Sequence, residues 1–291
     1  MLTAGYRDSV LRNLPVLSSA AMKLVGTLAQ PTVDIGEVEH VIQKDPLLCG
    51  ELLRTVNSAR YARQGRVNGI GQAVSLLGIG RVRRMALSLA VSSLFGRAKT
   101  AAHWSPLRFN LHSAAVALLA DILAERLPVP CADAAFVAGL LHDVGKFAIA
   151  VNLPREGEKI WLMARDSGRS VAQCEREVLG FDHAAITGDL LKSWELPEAV
   201  YRAAGGHHDW EEELSRVRAF GSVTSVDLGL ILNCADRFVN SLGMMTEAPL
   251  KELASKELAP VRLALPGFEL DSDALAIHFA VEYEEFRELL L

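Results

Sequence analysis

The stretch "FVAGLLHDVGKFAIA" at 136–150 sets two adjacent polar residues, His142 and Asp143, inside an otherwise apolar run. A buried charge is costly unless another group pairs with it. Any fold that accepts this segment must therefore bring partners to the pair from elsewhere in the chain. The surrounding composition narrows the choice of fold. Half of the 291 residues are hydrophobic and only 6% are aromatic, with Ala and Leu dominant. Ala and Leu are strong helix formers, whereas sheets draw on β-branched and aromatic residues. No stretch alternates apolar and polar residues strongly enough for a half-buried strand. The fold class is therefore all-α, a multi-helix bundle.

Start and stop signals divide the chain into helix after helix. A Ser cap opens 18–30, and Asp caps open 34–45 and 45–59, the latter with Pro46 in the first turn, where a missing N–H costs nothing. Gly78 and Gly80 split 69–95 into two helices, because Gly accepts the left-handed geometry that closes a helix. Further helices are predicted over 107–127, after the Pro-rich turn at 128–130, and over 156–166, 170–179, 182–194, 198–205, 226–244 and 273–291. The segment 207–220 reads as a polar connection and 247–272 as irregular or short helices. The last helix, "DALAIHFAVEYEEFRELLL", has an apolar stripe that docks on the body of the protein or on a partner.

Several function classes are excluded or disfavoured. No apolar run approaches the roughly 18 residues that span a bilayer, and "MALSLAVSSLF" at 85–95 is too short. The N-terminus has no charged head followed by an apolar h-region, so no signal peptide is expected. Cys49, Cys131, Cys174 and Cys234 form no CxxC and read as buried thiols in a reducing cytosol. A net charge of −5 gives no support for a nucleic-acid surface, and the one basic cluster, "RVRR" at 81–84, reads as a solvated helix face. A cytoplasmic protein with no membrane span and no nucleic-acid partner is expected.

The candidate chemistry lies in five of the eight histidines, His112, His142, His183, His207 and His208, with two acids, Asp143 and Asp236. Imidazole and carboxylate together suit divalent Zn, Fe, Mn or Ni, and no cysteine lies near enough in sequence to suggest a thiolate site. The two oxygens of Asp143 could bridge two cations, and a pair of cations clamps both oxygens of a displacement at phosphorus. Lys146, beside Gly145, is placed to reach a phosphate oxygen as a point charge. Each residue also has a plain reading. His142–Asp143 alone reads equally well as a helix-end hydrogen-bonded pair. Asp236 reads as a surface or capping acid, and His207–His208 as part of a solvated loop. His40, His103 and His278 are taken as ordinary structural residues.

The order His112, His142–Asp143, Asp236 resembles the H…HD…D signature of the HD phosphohydrolase superfamily, and His183 and His207–His208 resemble the added ligands of its two-metal branches. The segments "LPVLSSAAMKLVGTL", "VIQKDPLLCGELLRTVNSARYARQGRVNGIGQAVSLLGIGRVRRMAL", "HDVGK", "GFDHAAITGDLLKSWELP" and "HH" together resemble the HD-related output domain, HDOD, over residues 11–208. The resemblance implies an N-terminal helical lobe over residues 1–100 packed on an HD-like core over 101–240, with a C-terminal helical extension over 241–291. It implies a regulatory output module of bacterial signalling proteins, acting through a protein partner or a linked signalling domain. Carried over by position, the metal ligands would be His112, His142, Asp143 and Asp236 for one ion, with His183 and His207 or His208 added for a second. Asp143 and Lys146 would be the catalytic pair if the domain hydrolyses a nucleotide or another phosphate ester. The chain departs from the related HD-GYP phosphodiesterases, because "HHDWEEELSRVRAFG" contains no Gly-Tyr-Pro.

Overall fold

The computed structural model describes Arg7, Val10 and residues 19–30, 34–57, 66–95, 104–209, 225–244 and 272–290. Among the described residues all regular structure is helical. The helices are α1 (Ser19–Leu28), α2 (Ile35–Gln43), α3 (Pro46–Val56), α4 (Ile70–Leu77), α5 (Ile79–Phe95), α6 (Pro106–Arg126), α7 (Ala135–Leu141), α8 (Val144–Asn152), α9 (Pro154–Ser167), α10 (Val171–Leu179), α11 (His183–Ser193), α12 (Glu198–Gly205), α13 (Leu228–Ser241) and α14 (Ser272–Leu290).

Most boundaries follow from local chemistry. The carboxylates of Asp34, Asp45, Asp182 and Asp227 and the hydroxyl of Ser105 each accept from an otherwise unpaired amide in a first turn. Ser170 and Gln173 form a reciprocal capping box on α10. Gly78, at φ 82°, separates α4 from α5 as expected.

One predicted helix is two. The segment after the Pro-rich turn breaks at His142–Asp143, between α7 and α8. His142 donates its Nδ1–H to the Gly139 carbonyl at 2.8 Å. That carbonyl is the one an unbroken helix would offer to the Asp143 amide. Asp143 then stands at the N-terminus of α8 but caps no amide with its side chain. Both of its oxygens are left for other partners.

Helices α1, α3 and α4 pack against α5, which packs on α6 and α7. Helix α6 is the central rod, lying against α7, α13 and α14. Its segment and 132–152 both meet the length and hydropathy of a membrane span, contrary to the expectation from apolar runs, yet 78% and 83% of their apolar windows are buried within the bundle. The buried apolar side chains form one continuous core from Val10 to Phe286. Helix α14 packs on α5 and α6, with Leu275, Phe279 and Phe286 facing inward.

The basic cluster at 81–84 does not form a solvated face. Its arginines are half-buried, Arg84 pairs with Asp121 on α6, and Arg81 lies 3.7 Å from Glu282 on α14. Helices distant in sequence cover this side of α5 and bring carboxylates with them. The cysteines also differ from expectation: Cys174 and Cys234 are buried, Cys49 is half-buried and Cys131 is exposed. Cys131 sits in a left-handed turn at φ 58° between α6 and α7, away from the core. His103, most of the polar connection and the 247–271 segment lie outside the described residues.

Candidate metal centre

Close helix crossings assemble the site. A Cβ on Gly139 of α7 would meet the Ala117 Cα at 2.6 Å, so only glycine lets α7 lie this close to α6. A Cβ on Gly145 of α8 would meet the His183 carbonyl oxygen at 2.0 Å, and its amide donates to the Thr187 hydroxyl at 2.9 Å. These contacts bring His112 on α6, His142–Asp143 at the α7–α8 break and His183 at the start of α11 to one place. His207 and His208 follow α12. Asp236 projects from α13, where Asn233 Nδ2 also holds the His207 carbonyl at 2.9 Å.

All seven residues predicted as ligands converge. His112, His142, Asp143 and Asp236 form one group, and His183, His207 and His208 a second, each with its ligand atoms within 4.8 Å of one another. His112 Nε2 lies 3.1 Å from Asp236 Oδ1 and 3.5 Å from Asp143 Oδ2. His142 Nε2 lies 3.3 Å from Asp143 Oδ2 and 3.7 Å from Asp236 Oδ1. Asp143 turns its other oxygen to the second group, with Oδ1 at 3.2 Å from His183 Nε2 and 3.8 Å from His207 Nε2. One carboxylate thus faces both groups. Lys146 donates to Asp143 Oδ2 at 2.7 Å.

The outer nitrogens set the tautomers. The Nδ1–H groups of His112, His142 and His207 donate to the carbonyls of Met244, Gly139 and Ala204 at 2.6, 2.8 and 2.7 Å. His183 differs, since its Nδ1–H donates to the carboxylate of Glu175 at 2.6 Å. With Nδ1 occupied, each Nε2 turns a lone pair inward when the ring is neutral.

The inner atoms are buried and lack aligned partners. His112 Nε2, His142 Nε2, His207 Nε2 and Asp143 Oδ1 make no hydrogen bond. Buried polar atoms in native proteins are satisfied with few exceptions, so four orphans around one point ask for a group that accepts lone pairs. A transition metal fits. Bonds of about 2.0–2.2 Å place neighbouring ligand atoms roughly 3.0–3.6 Å apart, close to the distances seen in the first group.

The charges fit as well. Burial would strip the proton from His142, but the Asp143 and Asp236 carboxylates outweigh it and hold the imidazole at about 10. Burial likewise opposes protonation of His183, yet Glu175 holds it at about 9. His207 is pushed down to about 3 by burial and by the neighbouring imidazoles of His142 and His183. Burial would raise both aspartates, but His142 and Lys146 hold Asp143, and His112 and His142 hold Asp236, well below the usual carboxylate range.

Glu175 was not among the residues singled out from sequence. It is buried on α10 with Ala172, Cys174 and Leu179, an acid on an apolar stripe. That is the same signal that marked His142–Asp143.

An all-helical bundle with imidazoles and carboxylates gathered at a helix break defines a class of helical His/Asp-cluster proteins. The family model of the HDOD domain matches residues 14–210, and the chain belongs to that family. An uncharacterized protein of Treponema pallidum (strain Nichols) is 22% identical over 219 residues, which cover 72% of this chain; the chain spans 40% of that relative's length. Among solved structures, an HDOD domain protein of unknown function from Geobacter sulfurreducens aligns with TM-score 0.73 at 23% identity, over 99% of this chain and 96% of that one. A candidate phosphohydrolase from Shewanella amazonensis SB2B aligns with TM-score 0.71 at 23% identity, over 97% and 98%. A candidate signal transduction protein from Marinobacter aquaeolei VT8 aligns with TM-score 0.66 at 20% identity, over 95% and 58%. These likenesses establish the shared helical fold.

Proposed function

We propose that this chain is a bacterial, cytoplasmic regulatory output module whose helical bundle is tied together by a buried divalent transition-metal centre and which acts through a protein partner or a linked signalling domain. The observation that carries this reading is the burial of the ligands. His112, His142, Asp143, His183 and His207 are each at most 1% exposed, and Asp236 is 5% exposed. The first group alone offers four buried protein ligands, enough to complete the four-coordinate shell of a structural site, whereas catalytic sites keep a coordination position open. The ligands come from α6, α7–α8, α11, α12 and α13, so occupancy couples the positions of those helices. A module that transmits state through its surface needs such coupling. In this reading residues 1–100 form a lobe that rides on the core at 101–240, with α5 packed on α6 as the joint. The likeness to a signal transduction protein is compatible with this.

The second reading is a metal-dependent phosphohydrolase acting on a nucleotide or another phosphate ester. It is favoured by Asp143 facing both groups and by Lys146 beside it. Lys146 and His208 are the half-buried members of the cluster among the described residues. Metal ions there would supply Lewis-acid charge to a phosphoryl oxygen. The Lys146 ammonium would hold a second phosphate oxygen, and Asp143 would keep the two ligand groups in register.

The test is metal analysis of the full chain purified without a metal-affinity column, beside the variant His142→Ala/Asp143→Ala. A bound transition metal is expected in the native chain and none in the variant. Equal metal content in both would refute the centre. A turnover screen with cyclic dinucleotides, nucleotides and a generic phosphate ester should show no metal-dependent activity. Activity that the double variant abolishes would replace the regulatory reading with the hydrolase.

A further inference from the structure

The two ligand groups differ in charge. The first combines two imidazoles with two carboxylates, Asp143 and Asp236. The second has three imidazoles and shares only Asp143 Oδ1. A divalent ion in the second position faces half the negative charge available in the first. Glu175 lies directly behind this poorer position. Its carboxylate is 3% exposed, and its Oε2 accepts both the backbone N–H of His183 at 2.8 Å and the ring Nδ1–H at 2.6 Å. The Nδ1–H groups of His112, His142 and His207 donate instead to neutral carbonyls. A carboxylate behind a ligating imidazole fixes the ring and raises its basicity. Burying such a charge is costly unless a partner needs it.

We propose that Glu175 is a positioning residue that sets the affinity of the second metal position, so that the two positions fill unequally, the one facing His183 last. This rests on the metal-centre reading given above. The variant Glu175→Gln keeps an oxygen that can accept from His183 and removes the charge.

The experiment uses the full chain, stripped with chelator and dialysed against graded cobalt(II), with ions per chain counted by mass spectrometry and the visible cobalt absorption followed. Native protein should take up two ions in separable steps. Glu175→Gln should bind the first with native affinity, which also reports an intact fold, and the second about 10- to 100-fold more weakly, with a changed cobalt spectrum for that step alone. Two ions bound by the variant with native affinities would overturn the assignment, as would equal weakening of both steps. A native chain that takes one ion, unaffected by the variant, would overturn it while leaving the metal centre standing. A native chain that takes none would overturn the metal centre itself.

Discussion

At the residue scale, His142 shows how local chemistry prepares a candidate ligand. Its Nδ1–H is held by Gly139 and its Nε2 points to Asp143 and Asp236. The raised values at His142 (about 10) and His183 (about 9) mean that both rings carry a proton at neutral pH when no metal is present. Metal binding needs the neutral ring, so loading at pH 7 should release protons, and affinity should rise with pH. Calorimetry in buffers of different ionisation enthalpy measures that release; no buffer dependence would contradict it. The stability of the metal-free protein has the opposite sign. A folded-state value above the unfolded one gives stability that is complete below about 6.5 and lost as pH rises through about 9 to 10. Urea midpoints of the stripped chain should fall across that window, and a flat profile would count against the imidazole–carboxylate pairing. The candidate ligands are legible in sequence because imidazoles and acids interrupt apolar runs. Glu175 is harder to see, because "CEREVLG" holds a second acid, Glu177, and only the packing of α10 shows which one is buried.

At the element scale, caps and glycines made most helix ends visible, since an Asp or Ser side chain can satisfy an unpaired amide wherever the helix goes. The break at His142–Asp143 has only Gly145, two residues on, as such a mark. Leu141 and Val144 flank it, and no Pro lies at the junction; the turn depends on where α6, α11 and α13 place their polar groups. The "RVRR" cluster differs from its expected solvated face for the same reason, because Asp121 and Glu282 reach it only after folding. Gly145 gives a test of the crossing of α8 with α11. In Gly145→Ala the new methyl would meet the His183 carbonyl, so the helices must part. We expect a loss of about 1–3 kcal/mol in urea unfolding, together with loss of metal from the His183 group. Gly157→Ala serves as its control, because a Cβ there meets only the Ile149 Cγ2 at 4.0 Å. It should be neutral or stabilising by about 0.5–1 kcal/mol. Native-like stability and metal content in Gly145→Ala would contradict the crossing.

At the scale of the whole molecule, the candidate ligands sit on helices that also carry the apolar core. A metal that binds only the folded state stabilises it by mass action, by about 2.7 kcal/mol at a free concentration 100 times its dissociation constant. The melting temperature should therefore rise with added metal and fall with chelator. Helix α14 closes the other side of the bundle. Phe286 is 2% exposed and its ring lies 6.0 Å from that of Phe136 on α7, the helix that ends at His142. Phe286→Ala should cost about 3–5 kcal/mol of stability, and a loss below about 1 kcal/mol would show that α14 is not part of the core. The all-helical class followed from composition and the absence of alternation, whereas the docking of α14 on α5 and α6 depends on pairings across more than 150 residues. The most direct test of the metal centre is an anomalous-difference map from crystals grown with manganese or zinc. The expected result is a peak bonded to His112 Nε2, His142 Nε2, Asp143 Oδ2 and Asp236 Oδ1. A fully loaded crystal with its metal elsewhere, or with no peak among these atoms, would contradict it.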